Sequence, residues 1–194
     1  MGIRRSSFAV LGSIVALALF ASPAAVRADT YSVDPVHSSL LFRIKHMNVS
    51  YVYGRFNNPE GTINVDEADP TKTSFDITVK VANVDTGNKN RDNHLKTPEF
   101  FNAEEFPTMT FKSTAVKVGE DKKLEVTGNL TIHGQTKPVT ATLEFVGAAS
   151  TRMGQRAGYD GMLTIKRTDF GMNQMTDAIG DDVTIKIGLE GVKK

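Results

Sequence analysis

The stretch Ser74-Phe-Asp-Ile-Thr-Val-Lys-Val81 alternates apolar and polar side chains without interruption. Phe75, Ile77, Val79 and Val81 share one side of an extended chain, whereas Asp76, Thr78 and Lys80 share the other. Because successive side chains of a β-strand point to opposite faces, this period of two predicts a strand with one buried face and one hydrated face.

The same alternation recurs along most of the chain. It is found over residues 40–45, 109–112, 124–132, 139–145, 159–166 and 183–190, with shorter runs at 51–56 and 61–65. Turn-forming segments at 119–121, 133–135 and 147–154 separate several of these runs. The pattern predicts an all-β, antiparallel domain with one apolar face. A closed barrel and a two-sheet sandwich both satisfy it, so the choice between them stays open.

Two segments interrupt the alternation, Thr86–Phe106 and Arg167–Asp181. We expect one or two helical turns over Asp92–Lys96, ended by Pro98. A long irregular segment in a compact domain usually has a function or covers part of the domain. The apolar residues of these segments are candidates to line or gate an opening: Phe100, Phe101, Phe170 and Met172.

The first 28 residues have the order of a secretory signal peptide. Arg4 and Arg5 precede an uncharged apolar run over 8–20, and Pro23 and the small residue Ala28 follow. We expect cleavage after Ala28, which leaves a single domain over 29–194 without a stable membrane anchor. An uncleaved anchor is the alternative, because residues 6–26 carry no charge.

Composition excludes several functional classes. The chain has 194 residues and a formal net charge of +1, so no strong basic field indicates a nucleic-acid partner. The absence of cysteine excludes disulfides, thiolate metal sites and a cysteine nucleophile. No Walker loop, GxSxG, HExxH or dinucleotide-binding motif occurs, and no two histidines have the short spacing of a zinc site. We therefore expect no metal, no cofactor and no catalytic residue.

The densest polar cluster comprises Arg91, Asp92 and His94. It suits either a solvated loop with weak ion pairs or a polar mouth that recognises a ligand head group. His46 follows an alternating strand and falls on the face of Leu40, Phe42 and Ile44, where its polar tip could point inward.

Six blocks of sequence, in order along the chain, resemble the YceI-like family of lipid-binding proteins. They are Tyr31–Ser38 with Phe42–His46; Val52–Phe56; Val84–Thr86 with Arg91–Lys96 and Phe100-Phe101; Phe106-Pro107 with Thr110–Ser113; Gly128–Gly134 with Thr136–Val139; and Arg156–Gly158 with Arg167–Gly171. The resemblance implies an extended, eight-stranded, lipocalin-like antiparallel β-barrel with one short helical loop. It also implies export to the bacterial periplasm and binding of a long isoprenoid or other long-chain lipid inside the barrel.

The candidate site follows from this resemblance combined with the alternation. The predicted apolar interior comprises Phe42, Phe56, Phe75, Phe111, Leu130, Phe145, Leu163, Phe170 and Ile185. The predicted polar mouth comprises His46, Arg91 and His94.

Three hypotheses remain from the sequence. The first is a periplasmic carrier of a polyprenyl or quinone-type lipid. The second is a stress or assembly module with a packed, ligand-free barrel. The third is a lipid-acting enzyme, which would need a base and a residue that orients it, such as His46 with Asp169 or His94 with Asp92. The oligomeric state stays open, a dimer included.

Overall fold

The computed structural model describes Gly2 and residues 28–194. The predicted signal peptide over 1–28 therefore lies outside the described residues, apart from Gly2 and Ala28. Within the described part of the chain, no helix is both long and apolar enough to cross a bilayer.

The described chain is built almost entirely of β-strands. Their bounds are β1 Asp29–Val33, β2 Ser39–His46, β3 Ser50–Phe56, β4 Glu60–Val65, β5 Ser74–Lys80, β6 Val84–Asp85, β7 Thr108–Val118, β8 Leu124–Ile132, β9 Gln135–Thr151, β10 Gly154–Lys166 and β11 Ile179–Lys193. One α-helix, α1 (Lys89–Leu95), and four short 3₁₀ turns complete the secondary structure of this region.

The strands close into an antiparallel barrel, which settles the choice between barrel and sandwich. The sheet order is β1-β4-β5-β7-β8-β9-β10-β11, and β1 returns to pair with β11. The remaining strands β2, β3 and β6 continue β1, β4 and β5, respectively, across short interruptions. β1 with β2, β3 with β4, and β5 with β6 therefore each form one bent strand. The predicted eight-stranded barrel with one helix is thereby confirmed. Closure removes the unpaired edges that an open sheet would expose.

An ion-pair cluster holds the bend between β1 and β2. The Asp34 carboxylate accepts hydrogen bonds from Arg156 at 2.8 Å and from His37 at 2.8 Å. Arg156 also donates to Glu190 of β11, and the backbone N–H of Glu190 donates to the Ser38 hydroxyl at 3.0 Å. Arg156, and secondarily His37, hold the pKa of Asp34 well below its usual range.

The end of the barrel beside this bend is filled by side chains. Ile63 and Val126 are completely buried there. The ring of Tyr159 meets Phe75 edge-on, with centroids 5.0 Å apart, and burial raises the pKa of Tyr159 to about 12. We call this the closed end. It is a packed core that the apolar faces of the strands build directly.

The opposite end carries α1. The Asn88 side chain accepts hydrogen bonds from the N–H groups of Asn90 and Arg91, so the helix begins at Lys89 rather than at Asp92 as predicted. An N-cap asparagine satisfies N–H groups of the first turn that have no partner within the helix. The helix ends at Leu95, before Pro98, in agreement with the prediction.

A buried arginine organises the connection between β10 and β11. The Arg167 side chain is 3% exposed. Its guanidinium donates to the carbonyls of Gly180 at 2.9 Å, Met172 at 2.5 Å and Ile179 at 2.9 Å. Burial lowers the pKa of Arg167. The charge is thus compensated by three carbonyl dipoles, which fold residues 167–180 back over the barrel end.

We expect Arg167→Leu to lower the free energy of unfolding by about 2–4 kcal/mol, because it leaves three carbonyls without their donor. Arg152→Leu is the matched control, since Arg152 is exposed in the β9–β10 turn. Denaturant titration followed by circular dichroism measures both. Equal stabilities for the two variants would show that the connection does not depend on this guanidinium.

The lowered pKa of Asp34 predicts that the fold loses stability in acid. A carboxyl whose pKa is lower in the folded state stabilises that state above its unfolded pKa of about 3.9, and this contribution is lost as the pH falls. We therefore expect Asp34→Asn to be less stable at pH 7 and to lose less stability than the wild type between pH 5 and pH 2. Asp76→Asn removes an exposed carboxyl as a control. Parallel stability curves for the wild type and Asp34→Asn would contradict the assignment.

Candidate functional site

Above the closed end, the barrel encloses a cavity of about 500 Å³. Alternate residues of each surrounding strand form its wall, as the period of two predicts. Along β11 the lining residues are Ile179, Val183, Ile185, Ile187 and Leu189. The lining residues extend along β11 from Ile179 to Leu189, so the cavity is elongated along the strands. Its wall is almost entirely apolar.

Two phenylalanine rings lie flat against this wall because glycines face them. An ideal Cβ placed on Gly54 would come within 2.4 Å of Cζ of Phe42, and one placed on Gly128 within 2.5 Å of Cζ of Phe111. Phe42 and Gly54 are direct partners in the β2–β3 register. A larger residue at Gly54 would push the Phe42 ring toward the lumen. At Gly128 it would press on the Phe111 ring and also on the backbone carbonyl of Lys112, which would lie 2.6 Å from the added Cβ. The glycines therefore leave room for rings at the wall and keep the centre of the barrel open.

The mouth of the cavity is polar and lies beside α1. The Arg91 guanidinium donates from Nε to the Thr86 hydroxyl at 2.8 Å and from a terminal nitrogen to the Thr86 carbonyl at 2.7 Å. Asp92 in turn accepts from the backbone N–H of Thr86 at 2.8 Å. These bonds fix the guanidinium at the cavity rim. Within residues 28–194, Arg91 forms no ion pair with a carboxylate.

His94 and His46 also reach the cavity rim. Nε2 of His94 is hydrogen-bonded to Glu99 at 2.5 Å, and its ring meets Phe100 edge-on at 4.9 Å. His46 is the last residue of β2 and lies opposite Ile179 of β11. The three predicted mouth residues, Arg91, His94 and His46, thus surround one opening together with Lys45 and Met175.

The structure brings together most of the predicted apolar interior. The predicted residues that line the cavity are Phe42, Phe56, Phe75, Phe111, Leu130, Leu163 and Ile185. Three residues of the irregular segments, Phe100, Phe101 and Met172, line it as well. Their contact with a ligand stays a prediction.

The prediction that Phe145 lines the interior is wrong. Strand β8 begins at Leu124, which pairs with Leu143 of β9, so β9 continues past the end of its neighbour. Phe145 lies in this overhang and is 39% exposed. Its ring packs on Tyr159, with centroids 5.2 Å apart, outside the packed closed end. The predicted turn over 147–154 is also shorter than expected, because β9 extends to Thr151 and β10 begins at Gly154.

The prediction that Phe170 lines the interior is also wrong. Phe170 belongs to the 3₁₀ turn Arg167–Phe170 and is 1% exposed. Its side chain borders a second, more open depression, formed with Pro138 and Val139 of β9. Its carbonyl interacts with Nδ1 of His133 at 3.2 Å. Phe170 is therefore a core residue behind the barrel wall.

Sequence reasoning missed four polar residues that line the cavity: Lys45, Thr86, Thr110 and Arg167. Thr86 carries no signal by itself, because its role depends on the positions of Arg91 and Asp92. Arg167 had a usable signal, since it directly follows the alternating run that ends β10. A cation at the end of a half-buried strand must find carbonyl or carboxylate partners.

Neither of the two histidine–aspartate pairs considered for an enzyme is found among the described residues. His94 bonds Glu99 and not Asp92, and Asp169 borders the outer depression rather than the cavity that His46 reaches. Among the described residues, no hydroxyl is hydrogen-bonded to the ring of His46 or His94.

One group of side chains has the composition of a metal site. Asp34, His37 and Glu190 hold ligand atoms within 4.8 Å of one another. Arg156 donates to both carboxylates. Because the guanidinium already compensates their charge, the group is a structural ion-pair network.

Comparison with known proteins agrees with this architecture. The YceI-like domain family matches residues 31–191. A UPF0312 protein of Pseudomonas aeruginosa is 38% identical over 180 residues, which covers 91% of this chain and 93% of the relative. The crystal structure of Burkholderia cenocepacia BcnA covers 81% of this chain and 98% of its own, with 30% identity and a TM-score of 0.74.

A further structural neighbour shares the fold at lower identity. It is a polyisoprenoid binding domain from Saccharophagus degradans, which is 18% identical with a TM-score of 0.69 and covers 87% of this chain and 100% of its own. The match of nearly the whole described domain, the identity to these relatives and the closed barrel lead to one conclusion: the chain belongs to the YceI-like family.

Proposed function

We propose that the protein binds a long-chain isoprenoid lipid, of the polyprenyl or quinone type, in the barrel cavity and carries it in the periplasm. One observation carries the proposal: an elongated, almost wholly apolar cavity of about 500 Å³ that opens at a polar rim. This volume is in the range of small-molecule sites, about 300–1,000 Å³. An apolar tail with a polar head matches both parts of the cavity.

The hydrophobic effect supplies the driving force for the tail. Each buried methylene gains about 0.8 kcal/mol before the costs of association and ordering. Burial is not directional, so the wall needs shape and apolarity rather than a precise polar motif. The open volume also disfavours the packed, ligand-free barrel, whose interior side chains would meet in the centre.

The rim supplies the contacts for a head group. Arg91 is held by Thr86 and has no carboxylate partner in the described chain. Arginine suits phosphate and carbonyl oxygens, because its planar fork presents several donors at once. The solved domain from Saccharophagus degradans is described as polyisoprenoid binding, which adds support for the ligand class. The predicted signal peptide supports the periplasmic location.

Filling the wall glycines tests the cavity. We expect Gly54→Val and Gly128→Val each to weaken binding of a polyprenol at least about tenfold, equivalent to ~1.4 kcal/mol. The physical reason is that valine at position 54 displaces the Phe42 ring into the lumen, and valine at position 128 displaces both the Phe111 ring and the adjoining backbone of Lys112. Titration of the protein with a fluorescent polyprenol analogue measures the affinity.

Two controls accompany this measurement. Gly119→Val makes the same change in the β7–β8 turn, away from the cavity, and keeps wild-type affinity. Adding Phe42→Ala to Gly54→Val removes the displaced ring and restores binding. Wild-type affinity in folded Gly54→Val and Gly128→Val proteins would place the lipid elsewhere.

Removing the rim cation tests the head-group contact. We expect Arg91→Gln to weaken binding of a polyprenyl phosphate about tenfold, because a charge-assisted hydrogen bond contributes about 1.5–3 kcal/mol. Binding of the corresponding polyprenol stays unchanged. Lys89→Gln is the matched control, since Lys89 lies on α1 outside the cavity lining. An equal loss for both ligands would show that Arg91 acts on the fold and not on the head group.

A further inference from the structure

The turn between β2 and β3 projects apolar side chains beside the cavity mouth. Met47 is 61% exposed and Val49 is 86% exposed. Met47 and Asn48 have φ values of 49° and 56°, the left-handed pair at the centre of a turn that the N–H of Val49 closes by donating to the carbonyl of His46 at 3.0 Å. The side chains of such a turn project beyond the ends of the two strands and do not pack against them. We call residues 46–50 the hairpin tip.

The hairpin tip is continuous with the rim of the cavity. The N–H of Met47 donates to the carbonyl of Ala178 at 2.7 Å, which ties the tip to the connection before β11. Met175 in that connection is 46% exposed and also lines the cavity. Three exposed apolar side chains, Met47, Val49 and Met175, therefore stand at the opening through which a ligand would enter.

The charge on this hairpin is of one sign. Residues 39–56 contain Arg43, Lys45 and Arg55 and no acidic residue. Arg55 pairs with Asp85, whereas Arg43 and Lys45 form no ion pair within the described chain. The adjoining connection over 172–178 adds one acid, the exposed Asp177.

Amphipathic aromatic side chains complete the hairpin. Tyr51 is 46% exposed and Tyr53 is 62% exposed, and the guanidinium of Arg43 lies 4.7 Å above the Tyr51 ring. Tyrosine is enriched where a surface meets the polar–apolar boundary of a bilayer. The order from the tip outward is apolar, then cationic and aromatic.

We propose that the hairpin tip docks on an anionic lipid bilayer and opens the cavity mouth directly onto the membrane. The inference rests on the proposed function, because it gives the apolar ligand a path that avoids water. Cations near an anionic bilayer each contribute an attraction that falls off within a Debye length. A second copy of the chain is a poor occupant, since a two-fold contact through the hairpin would bring together two surfaces that carry cations and no acidic residue.

Vesicle flotation tests the docking. We expect the wild type to float with vesicles of phosphatidylglycerol and phosphatidylcholine, and the double variant Met47→Ser, Val49→Ser to lose most of this binding. The matched control Val146→Ser, Met153→Ser removes two exposed apolar side chains from the opposite end, which are 68% and 70% exposed, and floats like the wild type. Arg43→Gln and Lys45→Gln each weaken binding about fivefold at low salt.

A second measurement separates this inference from the proposed function. The tip variant takes up a fluorescent polyprenol from vesicles at least fivefold more slowly than the wild type, yet binds the same probe equally in detergent solution. Failure of the wild type to bind the probe in detergent would overturn the proposed function alone. Wild-type flotation of the tip variant, or no flotation of the wild type, would overturn the docking. The docking would also be overturned if the tip substitutions changed the sedimentation coefficient and left flotation unchanged, because the tip would then form a contact between copies of the chain.

Discussion

The whole structure depends on the pairing of β11 with three other strands. It pairs along its length with β10, through Gly191–Lys193 with β1, and through Ile179–Gly188 with β2. These ladders join the first and last strands of the described chain and close the sheet. Without them, eight half-buried strands would have free edges and an apolar face exposed to water. The Asp34–Arg156–Glu190 cluster lies where β1 passes into β2, and it secures that junction against β11.

Closure creates two different interiors within one barrel. At the closed end, large side chains such as Tyr31 and Tyr159 fill the space between the strands. Toward the mouth, glycines in the wall accept the rings of Phe42 and Phe111 and leave the centre open. An eight-stranded barrel can be filled by side chains or hold one small ligand. In this barrel, tyrosines fill the closed end, and the glycines that face Phe42 and Phe111 leave room for a ligand toward the mouth.

The strands could be predicted from alternation because each has one wet and one buried face. Closure could not, since the β1–β11 pairing joins Tyr31 to Lys193 across nearly the whole domain; the barrel was predicted only through resemblance to a family. The alternation predicts Phe145 in the interior, but its exposure depends on where the neighbouring strand β8 ends, which the sequence of β9 does not determine. Arg91, His94 and His46, which the sequence predicts as mouth residues, line the cavity, and their contact with a ligand stays a prediction. Thr86 and Arg167 could not be predicted, because they act through backbone groups that only the fold positions.

Identification of the lipid bound in the cell tests the central claim most directly. Native mass spectrometry of the protein purified from its source cells, followed by organic extraction, reports both stoichiometry and chemistry. We predict a species that carries one additional mass, which extracts as an isoprenoid and is absent from the Gly54→Val, Gly128→Val protein. A protein that remains unliganded, even after incubation with polyprenyl lipids and quinones, would contradict the assignment of the cavity as a lipid-binding site.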